Sequence, residues 1–316
     1  MTLPAYVERD GDWVLRPPGK LQNVSMWVFV FRAGEPQLER LCRRWIDEPS
    51  GGAVTARPVF PGFPFVMLVC ADVGRGTSRD PHDAARGVLT ERDMGLFVPV
   101  EVRGPDGATH LSNLIPYLFV DSLAGLVSGR EEFGFPKLLG RMSWAGHANP
   151  ITPLPTSMHF AVQSLVLPKG THDVVEATVM DVRSLLPAIP IPVPAVLVDA
   201  LALFIDAVET AIGIPHASIP PFAHIPQVFL KQFRDAAVPN AACHQSIVGV
   251  AASIDAFHGG AILPAAHYEL TLPPYDGIDI AGTLGLVGTS PTRFVPLAAL
   301  SAEIDFTLPY GTVLWP

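Results

Sequence analysis

Apolar and polar positions along the chain fall into short runs rich in β-branched and aromatic residues, each bounded by Gly, Pro or Asp. Such runs predict strands rather than helices. They lie near 26–31, 65–70, 96–102, 114–120, 158–165, 174–182, 246–254, 265–272 and 303–308. Helical spacing is sparse. It predicts one short helix from Asp121, a good N-cap, to about 132, and a second near 37–45. The fold class this implies is α+β, predominantly antiparallel β, with few helices.

The clearest change of pattern lies at 183–225. It opens with a Pro-Ala-Ile-Pro-Ile-Pro-Val-Pro run, which cannot be helical and reads as extended or polyproline-like. From 195 to 212 good helix formers follow, with Asp199, Asp206 and Glu209 on one narrow stripe and a wide apolar face opposite. A core or subunit-interface helix is the favoured reading over an active-site lid. The whole chain, 1–316, is expected to be a single domain carrying this Pro-rich and helical insertion.

Composition narrows the function classes. The chain is 49% hydrophobic and 16% charged, which excludes a solvated disordered chain. Net charge is −9 with no basic cluster, so nucleic acid is not an expected partner. The most apolar stretch is broken by prolines and acids, so no membrane span is expected. The three cysteines are odd in number and lack C-x-x-C spacing, and the N-terminus shows no signal-peptide pattern. A cytoplasmic protein with reduced thiols follows. The ten histidines lack metal-ligand spacing, and no metal or cofactor is expected. Gly74-Arg75-Gly76-Thr77-Ser78-Arg79 begins like a dinucleotide fingerprint but ends in arginine and has no apolar helix behind it, so a surface turn is expected.

One stretch carries chemistry. Residues 128–140 read Ser-Gly-Arg-Glu-Glu-Phe-Gly-Phe-Pro-Lys-Leu-Leu-Gly. Pro136 ends the preceding helix and forces Phe135 to be extended. Lys137 then emerges between apolar neighbours, one of only four lysines beside Lys20, Lys169 and Lys231. Burial disfavours an ammonium and leaves a nucleophilic amine. On this basis burial among Phe133, Phe135, Pro136 and Leu139 is expected to depress the Lys137 pKa. The alternative is a lysine at a strand start whose head snorkels to water.

Gly129-Arg130-Glu131 followed by Phe135-Pro136-Lys137 resembles the G-R-E…[FY]-P-K signature of the acetoacetate decarboxylase family. Leu89-Thr90-Glu91 followed by Val98-Pro99-Val100 resembles that family's T-E…P-V strand. The segments Pro226–Lys231 and Ala251–Asp255 are similar to its C-terminal half, whereas 183–225 has no counterpart. The resemblance implies a barrel around the active site, a homo-oligomer, and a Schiff base on Lys137 with a small oxo acid. It implies Glu91 for proton transfer, with Asp93 as the alternative position, and Arg130 and Glu131 as substrate-binding residues. The expected activity is a carbon–carbon lyase decarboxylating a 3-oxo acid. The alternatives are an aldolase-dehydratase acting on pyruvate and an aldehyde, or a non-catalytic ligand-binding relative. The sequence departs from the family where a second lysine follows the first, here Leu138. The family's early active-site arginine falls near Val24 and its second glutamate near Phe65–Val66, and neither charge is present here, although Arg32 is close by in sequence.

Overall fold

The computed structural model describes residues 5–8, 11–145, 158–186, 191–192 and 224–316. The expected helix at 195–212 lies outside them, as does most of 183–225. Strand β1 (Gly19–Arg32) leads to helix α1 (Glu35–Cys42), which widens into a π-helical turn at Arg43–Asp47. Strands β2 (Thr55–Pro58), β3 (Phe65–Ser78), β4 (Leu89–Arg103) and β5 (Thr109–Val120) follow. Helix α2 (Leu123–Ser128) continues into a second π-helical turn, Gly129–Phe133. Then come β6 (Lys137–Ala145), β7 (His159–Val166), β8 (Val175–Ser184), β9 (Ile191–Pro192), β10 (His224–Arg234) and β11 (Ala242–Leu263). The chain ends with β12 (Tyr268–Thr271), α3 (Ile280–Leu284), β13 (Arg293–Phe294), β14 (Ala298–Leu308) and β15 (Thr312–Trp315).

The strands form one large mixed sheet in the order β13-β12-β8-β7-β6-β5-β10-β11-β14-β1-β3-β4-β2, with β4 also paired to β5. All pairings are antiparallel except those of β5 with β6 and with β10. Strand β5 is the fork. One edge runs along β4, while the other is divided: Leu114 meets Val228 of β10, and Leu118–Val120 meet Lys137–Leu139 of β6. The sheet therefore curls from β5 through β10, β11, β14, β1, β3 and β4 back to β5. That circuit closes through a single parallel pair, so the closed or nearly closed barrel expected from the short strands and the resemblance takes the form of a strongly curled sheet that is not a true barrel.

The main core lies where the β6–β13 leaf packs on the curled leaf. Trp27 and Phe29 of β1 meet Phe160 of β7 and Tyr268 of β12, with ring centroids 5.0 Å apart for Trp27–Phe160 and 5.1 Å for Phe29–Tyr268. All four rings are fully buried, and truncating any one would cost about 3–5 kcal/mol. Alternation then places the other residues of β1, β3 and β4 on the opposite face, and the chemistry lies there.

Two local expectations are corrected. Ser122, not Asp121, caps α2: its side chain accepts from Gly125 N at 3.2 Å. Asp121 instead reaches across to β4 and accepts from Arg92 N at 2.8 Å. Gly74-Arg75-Gly76 is no turn but part of β3, at a register shift between Val73 and Gly76. Among the described residues no helix is long and apolar enough to cross a membrane.

Candidate active site

The descent from α2 to β6 fixes Lys137. The helix ends in a left-handed Gly134 (φ +79°), with Gly134 N bonded to Arg130 O and Phe135 N to Gly129 O at 3.0 Å. Gly134 is required twice over, because a Cβ there would lie 2.5 Å from Lys231 Cα of β10. Lys137 N then bonds Phe135 O at 2.7 Å, a tight turn about Pro136 that delivers Lys137 directly into β6 beside Leu118.

Lys137 is buried at 7% exposure, the only lysine among the buried polar residues. Its Nζ donates to Glu91 Oε1, and Glu91 is itself buried. The aromatic wall is close: the Phe135 ring lies 5.8 Å from Nζ, stacks on Phe133 at 5.0 Å and meets Phe229 at 4.3 Å. Helix α2 seals the pair with two glycines one turn apart. A Cβ on Gly125 would fall 1.3 Å from Glu91 Oε2, and one on Gly129 would fall 2.8 Å from Lys137 Cδ. The helix thus lies directly against both side chains, which any larger residue at Gly125 would forbid.

A second carboxyl joins them. Asp93 sits two residues from Glu91 on the same face of β4. Its Oδ1 is shut off from solvent and lacks a hydrogen-bond partner. Burial, then the charge of Glu91 and a hydrogen bond with it, push Asp93 well above the ordinary carboxylate range, against the pull of Lys137. Two adjacent buried carboxyls beside one ammonium cannot both ionise cheaply. Asp93 is therefore the one that keeps its proton.

The direction for Lys137 corrects the sequence reading. Burial does disfavour its ammonium, but the charge of Glu91 and the hydrogen bond to it, joined by Asp93 only when that carboxyl ionises, outweigh it, so its pKa is raised. Leu139 contributes no enclosure, being 44% exposed. At rest Lys137 is an ammonium paired to a carboxylate.

The structure brings Lys137, Glu91 and Asp93 together and leaves Arg130 and Glu131 apart. Both are exposed on the π-helical turn. Next along the turn, the backbone oxygen of Glu132 accepts from Lys231 Nζ at 3.2 Å. An open recess of about 350 Å³ lies over β6 and β7, lined by Asp121, Leu139, Arg141, Gln163, Leu165 and Glu176. It contains none of the three clustered groups; of its charges Arg141 and Glu176 are paired at 2.9 Å, and Asp121 accepts from Arg92 N. The sealed cluster, by contrast, holds a buried carboxyl oxygen without a partner. The two glycines escaped the sequence reading, although their four-residue spacing on a predicted helix was the available signal.

No protein-family model matches the chain, and no curated protein does. Solved structures do. An acetoacetate decarboxylase from Legionella pneumophila aligns with a TM-score of 0.60 at 15% identity over 99% of this chain and 92% of its own. The enduracididine biosynthesis enzyme MppR complexed with pyruvate aligns at 0.56 and 15% identity, over 96% of this chain and 93% of its own. An acetoacetate decarboxylase-like enzyme from Sphingomonas wittichii RW1 aligns at 0.57 and 11% identity, over 98% of each chain. These likenesses show that the chain has the acetoacetate decarboxylase-like fold.

Proposed function

We propose that this chain is a lysine-dependent carbon–carbon lyase acting on a small oxo acid, with decarboxylation of a 3-oxo acid as its reaction. The observation that carries the reading is the ammonium of Lys137 buried against Glu91 with Asp93 beside them. Charged side chains are almost never buried without a partner, and perturbed clusters of this kind concentrate at functional sites. A buried carboxyl oxygen lacking a partner costs about 1–3 kcal/mol, which a ligand donor would recover.

The residues supply each proton. Lys137 passes one to Glu91, and its neutral amine forms a bond to the substrate carbonyl carbon. The carbonyl oxygen takes protons, first to become a hydroxyl and then to leave as water, giving a protonated imine. The bond to the carboxylate breaks, its electron pair moves toward the imine nitrogen, and carbon dioxide departs. Asp93, held in its acid form, gives a proton to the enamine carbon, water releases the ketone and restores the Lys137 ammonium, and Asp93 regains its proton from solvent. The aldolase reading shares this imine. Two carboxyls beside one lysine favour it too, since one could accept a methyl proton from bound pyruvate, the ligand in the MppR structure. Assembly as a homo-oligomer belongs to the same proposal, supported by exposed Leu165, Leu167, Val174 and Val175 where β7 turns into β8.

The test is borohydride trapping with acetoacetate and with pyruvate, mapped by mass spectrometry. An adduct on Lys137, lost in Lys137→Ala, is the expected result. An adduct on Lys20, Lys169 or Lys231, or no adduct with any oxo acid, overturns the reading. Carbon dioxide release marks the decarboxylase; exchange of pyruvate methyl protons without it marks the aldolase.

A further inference from the structure

The registers of β4, β3, β1, β14 and β11 show what lies beside the charged cluster. Paired residues on antiparallel strands share a face, with Cβ atoms about 5 Å apart. The row through Glu91 continues as Val73, Val24, Ile304 and Phe257. The row through Asp93 continues as Ala71, Met26, Ala302 and Gly260. The next continues from Gly95 as Val69, Val28, Leu300 and Ile262. Val24, Ala71, Val73 and Ile304 also pack as a cluster of their own, joined by Met26 and Ala302.

Three features of these rows bear on the substrate. They hold no charged side chain beyond Glu91 and Asp93. The two cations of β1, Lys20 and Arg32, each lie six residues from Met26, about 20 Å along the strand; Lys20 is paired with Asp255 and Arg32 stacks over Phe63. The middle row is low, with Ala71, Ala302 and Gly260 set between bulkier residues on either side, and only the adaptable Met26 standing in it. Finally, the two flanking rows end at exposed residues of β11, Phe257 at 37% and Ile262 at 44%, while Gly260 at the end of the middle row is buried, with the tip of the Phe257 ring 3.3 Å from where its Cβ would stand. Four strand spacings make this track about 19 Å long.

We infer that the substrate is a 3-oxo acid whose carbonyl carries an apolar chain of several carbons, lying along Ala71, Met26, Ala302 and Gly260, with no second acidic group. This rests on the Schiff-base reading above and names its substrate class. A small diacid would find no cation on these rows, whereas each methylene laid on the track leaves water.

The test measures borohydride trapping on Lys137 with a series of 3-oxo acids from acetoacetate to 3-oxodecanoate, and with the 3-oxo diacid of matching length. Apparent affinity should rise by about fourfold per methylene, and the diacid should trap poorly. Ala302→Leu, which raises the floor of the track, should flatten that dependence; Met26→Ala, which deepens it, should extend it to longer chains and guards against a folding failure of the first. Trapping on Lys137 that is indifferent to chain length, or preference for the diacid, overturns this inference and leaves the Schiff base standing. No adduct with any of these acids removes the underlying reading as well.

Discussion

Replacing Glu91 and Asp93 singly and together tests the electrostatics on which the site depends. In Glu91→Gln the main partner of Lys137 loses its charge, yet the same change removes the largest neighbouring charge that holds Asp93 protonated. Asp93 then ionises and takes over as counter-ion, so Lys137 stays an ammonium at pH 7. In Glu91→Gln/Asp93→Asn neither charge remains, and burial, the lowering influence, acts on Lys137 unopposed. Leaving one member of a buried pair unpartnered costs about 3–5 kcal/mol. Neutralising a lysine of ordinary pKa at pH 7 costs no more than about 5 kcal/mol, so the two bounds agree. An ordinary lysine is a free amine in about one molecule in 2,500 at pH 7. Reductive methylation of Lys137 should therefore quicken at least about a hundredfold in the double variant and change little in Glu91→Gln, with urea unfolding showing the matching non-additive loss. If Glu91→Gln alone frees Lys137, or if the double variant leaves it as slow as wild type, the shared-charge argument is wrong.

The remaining predictions concern pH and packing. Asp93 has a folded-state pKa above its unfolded value, so the folded form loses stability as pH rises from the ordinary carboxylate range toward that raised value. Asp93→Asn removes this loss; its stability relative to wild type should climb from about pH 4 upward, and a flat or falling difference in urea midpoints would refute it. Gly125→Ala puts a methyl 1.3 Å from Glu91 Oε2, a collision that only displacement of the carboxylate or the helix can relieve. It should cost about 1–3 kcal/mol and cut trapping on Lys137 more than tenfold, and should be worse on both measures than Gly129→Ala, whose nearest neighbour is the flexible lysine stem.

Much of the fold was legible in the sequence because strands announce themselves by local pattern. Each predicted run overlaps an observed strand, among them 65–70 within β3 and 303–308 within β14, although 265–272 opens with a 3-10 turn at Ala265–His267 before β12. The edges and the fork were not legible. Closure through a single pair at Leu114 and Val228 depends on how strands distant in sequence meet, and no window of residues records that. Lys137 stood out by its apolar flanks, and Glu91 only through the family resemblance. The sign of the Lys137 shift was misread for a physical reason: sequence shows the apolar neighbours that would lower a pKa, but not the carboxyls of another strand that raise it. Asp121 was misassigned as a cap because its true partner, Arg92 N, belongs to β4.

The π-helical turn at Gly129–Phe133 has a consequence for length rather than for chemistry. A π turn holds one residue more than the α-helical turn it replaces, and β6 begins just beyond it with side chains that alternate between faces. Deleting one residue from 129–133 would let the helix run on as an ordinary α-helix and shift β6 by one place, bringing Leu138 to the position where Lys137 meets Leu118. The turn therefore acts as a spacer whose count sets which side of the sheet receives the amine. Among natural variants of this chain, substitutions at the exposed Arg130 and Glu131 should be tolerated where gaps within 129–133 are not.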